Sequence, residues 1–406
     1  MPCRLDRPAS VGPATRTPLP EPLAWIGDAL ADLSAADLVR PRRVRTGRQG
    51  REVELDGRVL VNFGSNDYLA YAGDDRLVKA LAKGACAEGA GAGASPLVSG
   101  HSAAHEALER ALADLLDVDA ALAFPSGFAA NTATIAALVG PGDLVASDAR
   151  NHASIIDGCR LSRATVAVYP HRDAAALDTL LAGSRAPRKL VVTDTLFSMD
   201  GTIAPLADLC AVAARHGAIL MVDEAHATGV FGPRGSGLVE EFSCADGVHV
   251  RAGTLSKALG AAGGFVAGHA ALVEFLRHKA RAWIFSTAHP PAVAAAATRA
   301  IGLLAAEPER RRDLVARAAG FREALARGGI DTGGAAGQIV PVVAGPAAAA
   351  VALADALADA GFFVPAIRPP SVPVDKSLVR ASVCWHHSER DLERLAEAML
   401  RHATRR

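Results

Sequence analysis

Between residues 120 and 268 the chain repeats one pattern: a short apolar run, a turn, then a segment with helical apolar spacing. The runs fall at 120–124, 144–147, 165–169, 189–194, 218–223, 248–254 and 264–268. Between most of them lie helical segments such as 131–138, 173–181 and 206–216. The runs are continuously apolar rather than alternating, so each strand is buried on both faces. That requires a largely parallel sheet covered by helices on both sides. The expected fold class is α/β with a mostly parallel, seven-stranded central sheet. No long crossover separates the last two runs, so one antiparallel strand is expected at the sheet's edge.

The flanks read differently. Residues 1–20, rich in Pro, Ala and Arg and without the apolar core of a signal peptide, read as a disordered leader. Residues 21–60 form an N-terminal arm: a helix over 21–40 stopped by Pro41, a basic run over 42–51, then two short strands. The large domain spans 61–290 and opens with an amphipathic helix at 75–86. A long helical stretch over 291–328 leads into a smaller α+β C-terminal domain, 291–406. Its strands are expected at 339–343, 363–367 and 379–384, with helices at 347–360 and 388–402.

Charge and cysteine usage exclude several classes. The chain has 43 basic and 43 acidic residues and no formal net charge. Nothing drives it onto a phosphate backbone, so nucleic acid is not an expected partner. No apolar stretch of about 18 residues could span a membrane. Six cysteines lie far apart without a Cys-x-x-Cys pair, which suggests neither a metal site nor a disulfide framework and fits a reducing cytoplasm. Only six residues are lysines, at 79, 83, 189, 257, 279 and 376, so chemistry needing an amine has few candidates.

The Gly-Ala repeat at 89–94 has the look of a dinucleotide fingerprint. It follows a helical pattern rather than a strand, and Ser-Pro follows it, so it reads as a loop. Lys257 alone among the lysines lies at the end of an apolar strand among small residues. Burial would lower its pKa and yield a nucleophilic amine, although a lysine capping a strand end at the surface fits the same position. Asp223 ends the 218–223 strand, where an open parallel sheet binds ligands; it could pair with a protonated pyridine nitrogen or simply cap the next helix. Pro125-Ser-Gly-Phe128 opens a helix whose N–H groups could hold a phosphate, or is a plain strand-to-helix turn. His152 and His226 lie just past strand ends at the same sheet edge. Arg368, stiffened by Pro369 and Pro370, offers a fixed fork of donors for a carboxylate, or is one surface arginine among many.

Eight segments in order carry a resemblance: Ser-Asn-Asp-Tyr-Leu at 65–69, Leu-Val-Ser-Gly-His-Ser at 97–102, Ser-Gly-Phe-Ala-Ala-Asn at 126–131, Asn-His-Ala-Ser at 151–154, Phe-Ser-Met-Asp-Gly at 197–201, Val-Asp-Glu-Ala-His at 222–226, Thr-Leu-Ser-Lys at 254–257 and Ala-Ile-Arg-Pro-Pro at 366–370. Together, over about residues 21–400, the chain resembles the α-oxoamine synthases, pyridoxal 5'-phosphate (PLP) enzymes of the aspartate-aminotransferase fold, a fold-type I transferase. The resemblance implies that Lys257 is the Schiff-base lysine, Asp223 the pyridine partner and His152 the residue stacked on the ring. Ser198 and His226 would contact the phenolic oxygen. Gly127, Phe128 and Thr254 would hold the phosphate, with Thr287 reaching in from a second subunit, which makes a homodimer with shared active sites. Asn66 and Arg368 would grip the amino-acid carboxylate, while Arg40 and Ser371 would contact the acyl substrate. Lys257, His152, Asp223 and His226 would form the catalytic set.

The implied reaction is a decarboxylative condensation of L-alanine with a pimeloyl thioester, carried on coenzyme A or a carrier protein, as in biotin biosynthesis. Sister reactions join glycine to acetyl or succinyl thioesters, or serine to a long acyl thioester; a silent paralogue serving as partner subunit is the remaining alternative. Two departures stand out: Asp194 where the family often has Glu, and Pro96 where Arg is common.

Overall fold

A computed structural model of the chain describes residues 19–403. It divides into two compact units, Met1–Arg42 and Arg43–Arg406. All but the last two residues of the expected leader lie outside the described residues. In the first unit a 3-10 turn, Glu21–Leu23, precedes the helix Trp25–Ala35. This helix ends well before Pro41, which corrects the expectation from sequence. Asp37 takes a left-handed conformation (φ 55°), and the Leu38 N–H turns back to the Leu33 carbonyl at 2.8 Å, closing the helix end as a Schellman-type cap does.

The second unit carries fourteen strands among the described residues. β1 (Arg45–Thr46), β2 (Glu52–Leu55) and β3 (Arg58–Asn62) form an antiparallel arm. The central sheet comprises β4 (Ala120–Phe124), β5 (Leu144–Asp148), β6 (Thr165–Tyr169), β7 (Lys189–Asp194), β8 (Ile219–Asp223), β9 (Val250–Thr254) and β10 (Gly264–Gly268). Its order is β4-β10-β9-β8-β7-β5-β6. The expected seven strands are present and six run parallel. The antiparallel strand, β10, is not at the edge: it lies between β9 and β4 and pairs with both. All five of its residues are buried, so it needs a neighbour on each side. The edge falls to β4, where Glu109, on the helix Ala103–Leu116, accepts the outward-facing Ala123 N–H at 2.9 Å.

Burial on both faces is visible residue by residue. Val191, Leu220 and Val222 belong to one apolar cluster, whereas Leu190, Val192 and Met221 belong to the cluster on the opposite side. One cover layer pairs the helix Gly127–Leu138 with Ala153–Ser162, and their close approach depends on Gly158. A Cβ there would sit 3.1 Å from the Thr132 Cα and 3.2 Å from the Asn131 carbonyl.

One turn is added and two expectations need adjusting in the rest of the unit. Pro96–Gly100, given no element from sequence, winds into one π-helical turn closed by the Gly100 N–H on the Ser95 carbonyl at 2.9 Å. The stretch 291–328 is two helices, Pro291–Ala306 and Pro308–Arg327, because Pro308 has no N–H to continue the ladder. The expected strand 363–367 is split around Pro365. β12 (Phe362–Phe363) pairs in parallel with β3, and β13 (Ala366–Ile367) pairs with β14 (Ser377–Ser382), which also pairs with β11 (Ile339–Gly345).

A buried ion pair ties the sheet together beneath the candidate site. Arg251, on β9, donates through Nε to Glu224 (3.0 Å), through Nη1 to the Leu116 carbonyl and through Nη2 to the Ser236 carbonyl (both 2.9 Å). Glu224 also accepts the Val239 N–H at 2.8 Å. Removing one partner would leave the other charged and dry. Arg251→Ala is therefore expected to lower the unfolding free energy by about 3–5 kcal/mol in a denaturant titration.

Candidate active site

The carboxyl ends of β4, β5, β7, β8 and β9 converge on one cleft edge, where an open α/β sheet presents its ligand-binding groups. Lys257 lies in the link between β9 and β10, three residues past Thr254. Its Nζ is 2.9 Å from His226 Nε2. Burial lowers the ammonium's pKa to about 8, against the opposing pull of Asp223 and Asp194. His226 is buried, and burial together with Lys257 holds its pKa well below the ordinary histidine value, so the ring is neutral.

Asp223 closes β8 and is buried. Its Oδ2 accepts from Asn131 Nδ2 at 2.6 Å and its Oδ1 from the Ala225 N–H at 2.8 Å. Asn131, on the helix Gly127–Leu138, also donates to Ser154 Oγ at 2.9 Å. His152 caps the helix Ala153–Ser162, with Nδ1 2.8 Å from Ser154 Oγ. His152 is exposed, and desolvation by the surrounding protein still lowers its pKa. Its loop is clamped to β7 by reciprocal bonds: the His152 N–H donates to Asp194 Oδ2 (2.8 Å), and the Asp194 N–H donates to Asn151 Oδ1 (2.9 Å). Burial and the neighbouring Asp223 push the Asp194 carboxyl well up.

Gly127 and Phe128 open a twelve-residue helix, and their N–H groups have no acceptor on the helix itself. Gly127 packs closely against β9: a Cβ there would stand 3.3 Å from the Thr254 Cβ, a tight contact. The Thr254 hydroxyl donates to the Gly263 carbonyl at 2.8 Å. Asn66 and Ser198 are joined by Arg380, which donates to Asn66 Oδ1 (3.0 Å) and to the Ser198 carbonyl (2.8 Å). Thr287 is exposed in the loop after the helix Arg281–Ile284. Arg368, half-buried, and exposed Ser371 lie on one turn closed by the Ser371 N–H on the Arg368 carbonyl at 3.1 Å. Arg40 is exposed within the N-terminal unit.

Three residues of this network escaped the reading from sequence: Tyr68, Asn131 and Arg380. Arg380 carried a usable signal, being a lone charge inside the apolar run Ser377–Ser382, buried on every residue. Two buried polar atoms of the network lack a partner, Arg380 Nε and Asn131 Oδ1. A buried guanidinium with a spare donor, free N–H groups at a helix start, and a carboxylate fixed from two sides suit a ligand with anionic groups and a basic ring nitrogen. The residues fit PLP.

Comparison with known proteins agrees. The family profile "Aminotransferase class I and II" matches residues 58–399. The chain is 48% identical over 377 residues to the 8-amino-7-oxononanoate synthase of Anaeromyxobacter dehalogenans, covering 93% of this chain and 95% of that one. It is 47% identical to the enzyme of the same name from Geobacter sulfurreducens, over 93% and 97% of the two chains. Among solved structures, a serine palmitoyltransferase variant from S. paucimobilis with a bound PLP–myriocin aldimine superposes with a TM-score of 0.89 at 31% identity, over 94% and 98%. An 8-amino-7-oxononanoate synthase from Francisella tularensis gives 0.73 at 26%, over 85% and 98%. The chain belongs to the aminotransferase class I and II family and, within it, to the α-oxoamine synthases.

Proposed function

We propose that this chain is a PLP-dependent acyltransferase that condenses L-alanine with a pimeloyl thioester, releasing carbon dioxide and thiol to give 8-amino-7-oxononanoate. The observation that carries the reading is the part-buried Lys257–His226 pair beside Asp223, in a chain 48% identical to a synthase of that name. When bound, PLP supplies an aldehyde for the Lys257 amine and a cationic ring that accepts electrons from bonds at the amino-acid α-carbon.

The protein's part is to hold and to move protons. Asp223, aimed by Asn131 and the Ala225 N–H, would hold the protonated ring nitrogen of the bound cofactor. His152, clamped through Asp194, would pack against the bound ring. Gly127, Phe128 and Thr254 would hold the phosphate, and Ser198 and His226 would bind the phenolic oxygen. Lys257, with its pKa near 8, is neutral often enough close to neutral pH to take the α-proton as general base. Arg380 and Asn66, with Arg368, would receive the amino-acid carboxylate and so fix the orientation of the amino acid in the cleft. Ser371 would contact the acyl chain, whose carrier is coenzyme A or a carrier protein.

A symmetric homodimer completes the site through Thr287 of the second copy. The short helix carrying this loop packs against both the turn Pro96–Gly100 and the helix Gly127–Leu138. Leu97, Val98, Phe128 and Phe285 on these neighbouring elements are all exposed, as an apolar subunit contact requires. No helix among the described residues is long and apolar enough to cross a membrane, in keeping with a cytoplasmic enzyme.

A panel of amino acids and thioesters analysed by mass spectrometry tests the reading. Alanine with pimeloyl thioester should give product, carbon dioxide and thiol. Turnover confined to serine with palmitoyl thioester would assign a sister reaction, because apolar pockets separate close chain lengths by only about 1–3 kcal/mol. Arg380→Ala should lower kcat/KM for the amino acid by about ten- to a hundredfold, the worth of charge-assisted hydrogen bonds of about 1.5–3 kcal/mol; unchanged kinetics would free Arg380 from that role.

A further inference from the structure

Tyr68 is fully buried, five residues beyond Phe63, and no role in the chemistry above uses it. Its hydroxyl lies 2.7 Å from His226 Nδ1 and 3.3 Å from Asn66 Oδ1. On the far side of the imidazole, Nε2 lies 2.9 Å from Lys257 Nζ. One line of hydrogen bonds therefore runs Lys257–His226–Tyr68–Asn66–Arg380. Backbone contacts pin it: the Trp385 N–H donates to the Tyr68 carbonyl (2.7 Å), and Gln338 Nε2 donates to the His226 carbonyl (2.8 Å).

A neutral imidazole carries one proton, so one ring nitrogen donates and the other accepts. When Lys257 is an ammonium it donates to Nε2. The ring proton is then on Nδ1 and donates to the Tyr68 oxygen, while the Tyr68 O–H turns to Asn66 Oδ1. When Lys257 is a neutral amine its lone pair accepts from Nε2–H. Nδ1 is then bare, and the Tyr68 O–H turns back to it. Between the two arrangements the set gives up one proton in total, and no heavy atom has to move.

We propose that Tyr68 is a positioning residue: its hydroxyl, able to serve either tautomer of His226, sets through that ring the proton affinity of Lys257. This rests on the function proposed above. The charged and titratable groups facing the pair are Asp223, Asp194, His152 and Arg380, with Cys384 facing Tyr68. They remain in a Tyr68→Phe variant, so a change in Lys257 reports the hydroxyl. Without it, the ammonium arrangement leaves an Nδ1–H buried with no acceptor, which costs more than a bare lone pair. The variant therefore favours the neutral amine.

The test uses the cofactor-free full chain. The rate of amine modification at Lys257, read by peptide mass spectrometry against pH, should have its midpoint near 8 in the wild type. In Tyr68→Phe it should fall by about half to one pH unit, the worth of one hydrogen bond. Imidazole nitrogen NMR of the wild type should show His226 changing tautomer across the same pH range. Equal midpoints in the two proteins, including with a lowered melting temperature in the variant, would reduce Tyr68 to a packing residue and overturn the proposal. Should the variant not fold, a wild-type His226 that keeps one tautomer while Lys257 titrates would also overturn it. Failure of the underlying function would look different: the wild type would take up no PLP and stay colourless, with the midpoints unaffected.

Discussion

A primary amine largely shielded from water beside a neutral imidazole is the arrangement on which the rest of this structure depends. An ammonium in that position is costly, and the same burial that lowers the pKa of Lys257 makes its lone pair available. Asp223 and Asp194 pull the other way and keep the shift moderate. The fold achieves this by inserting β10 between β9 and β4, which makes the connection carrying Lys257 the link of an antiparallel pair inside the sheet. The ion pair of Arg251 on β9 and Glu224 just past β8 secures the neighbouring strand ends.

Much of the fold was legible because the central strands advertise burial on both faces through unbroken apolar runs. The split of alternate residues, such as Met221 and Val222, between opposite clusters is that signal made solid. The position of β10 was not legible: a hairpin's return strand has the same local pattern at an edge as in the interior, and only tertiary pairing decides. Pro308 and Pro365 could have been read as breaks, since each removes a backbone donor from a continuous pattern. The cleft residues at strand ends, Lys257, Asp223, His152 and His226, were found because the strand pattern brings them to one edge. Arg380, Asn131 and Tyr68 come from elements with no such label, and only three-dimensional contact ties them to the cleft.

The two departures from the family pattern acquire physical content here. Asp194 reaches the His152 N–H directly, so the shorter carboxylate still clamps the loop that presents His152. It does so while buried next to Asp223 on the adjacent strand, and burial first, then that neighbouring carboxylate, pushes its carboxyl up. Pro96 opens the π-helical turn Pro96–Gly100, a position where a missing N–H costs nothing and a fixed φ helps the chain enter. An arginine's long cationic reach is absent at that point.

The central claim is that Lys257 is the amine that captures the cofactor. The most direct measurement loads the purified chain with PLP, reduces it with borohydride and maps the modified peptide by mass spectrometry. The account predicts one pyridoxyl group per chain, on Lys257, and its loss in Lys257→Ala. A label spread over Lys79, Lys83, Lys189, Lys279 or Lys376, or unchanged labelling in the variant, would contradict it.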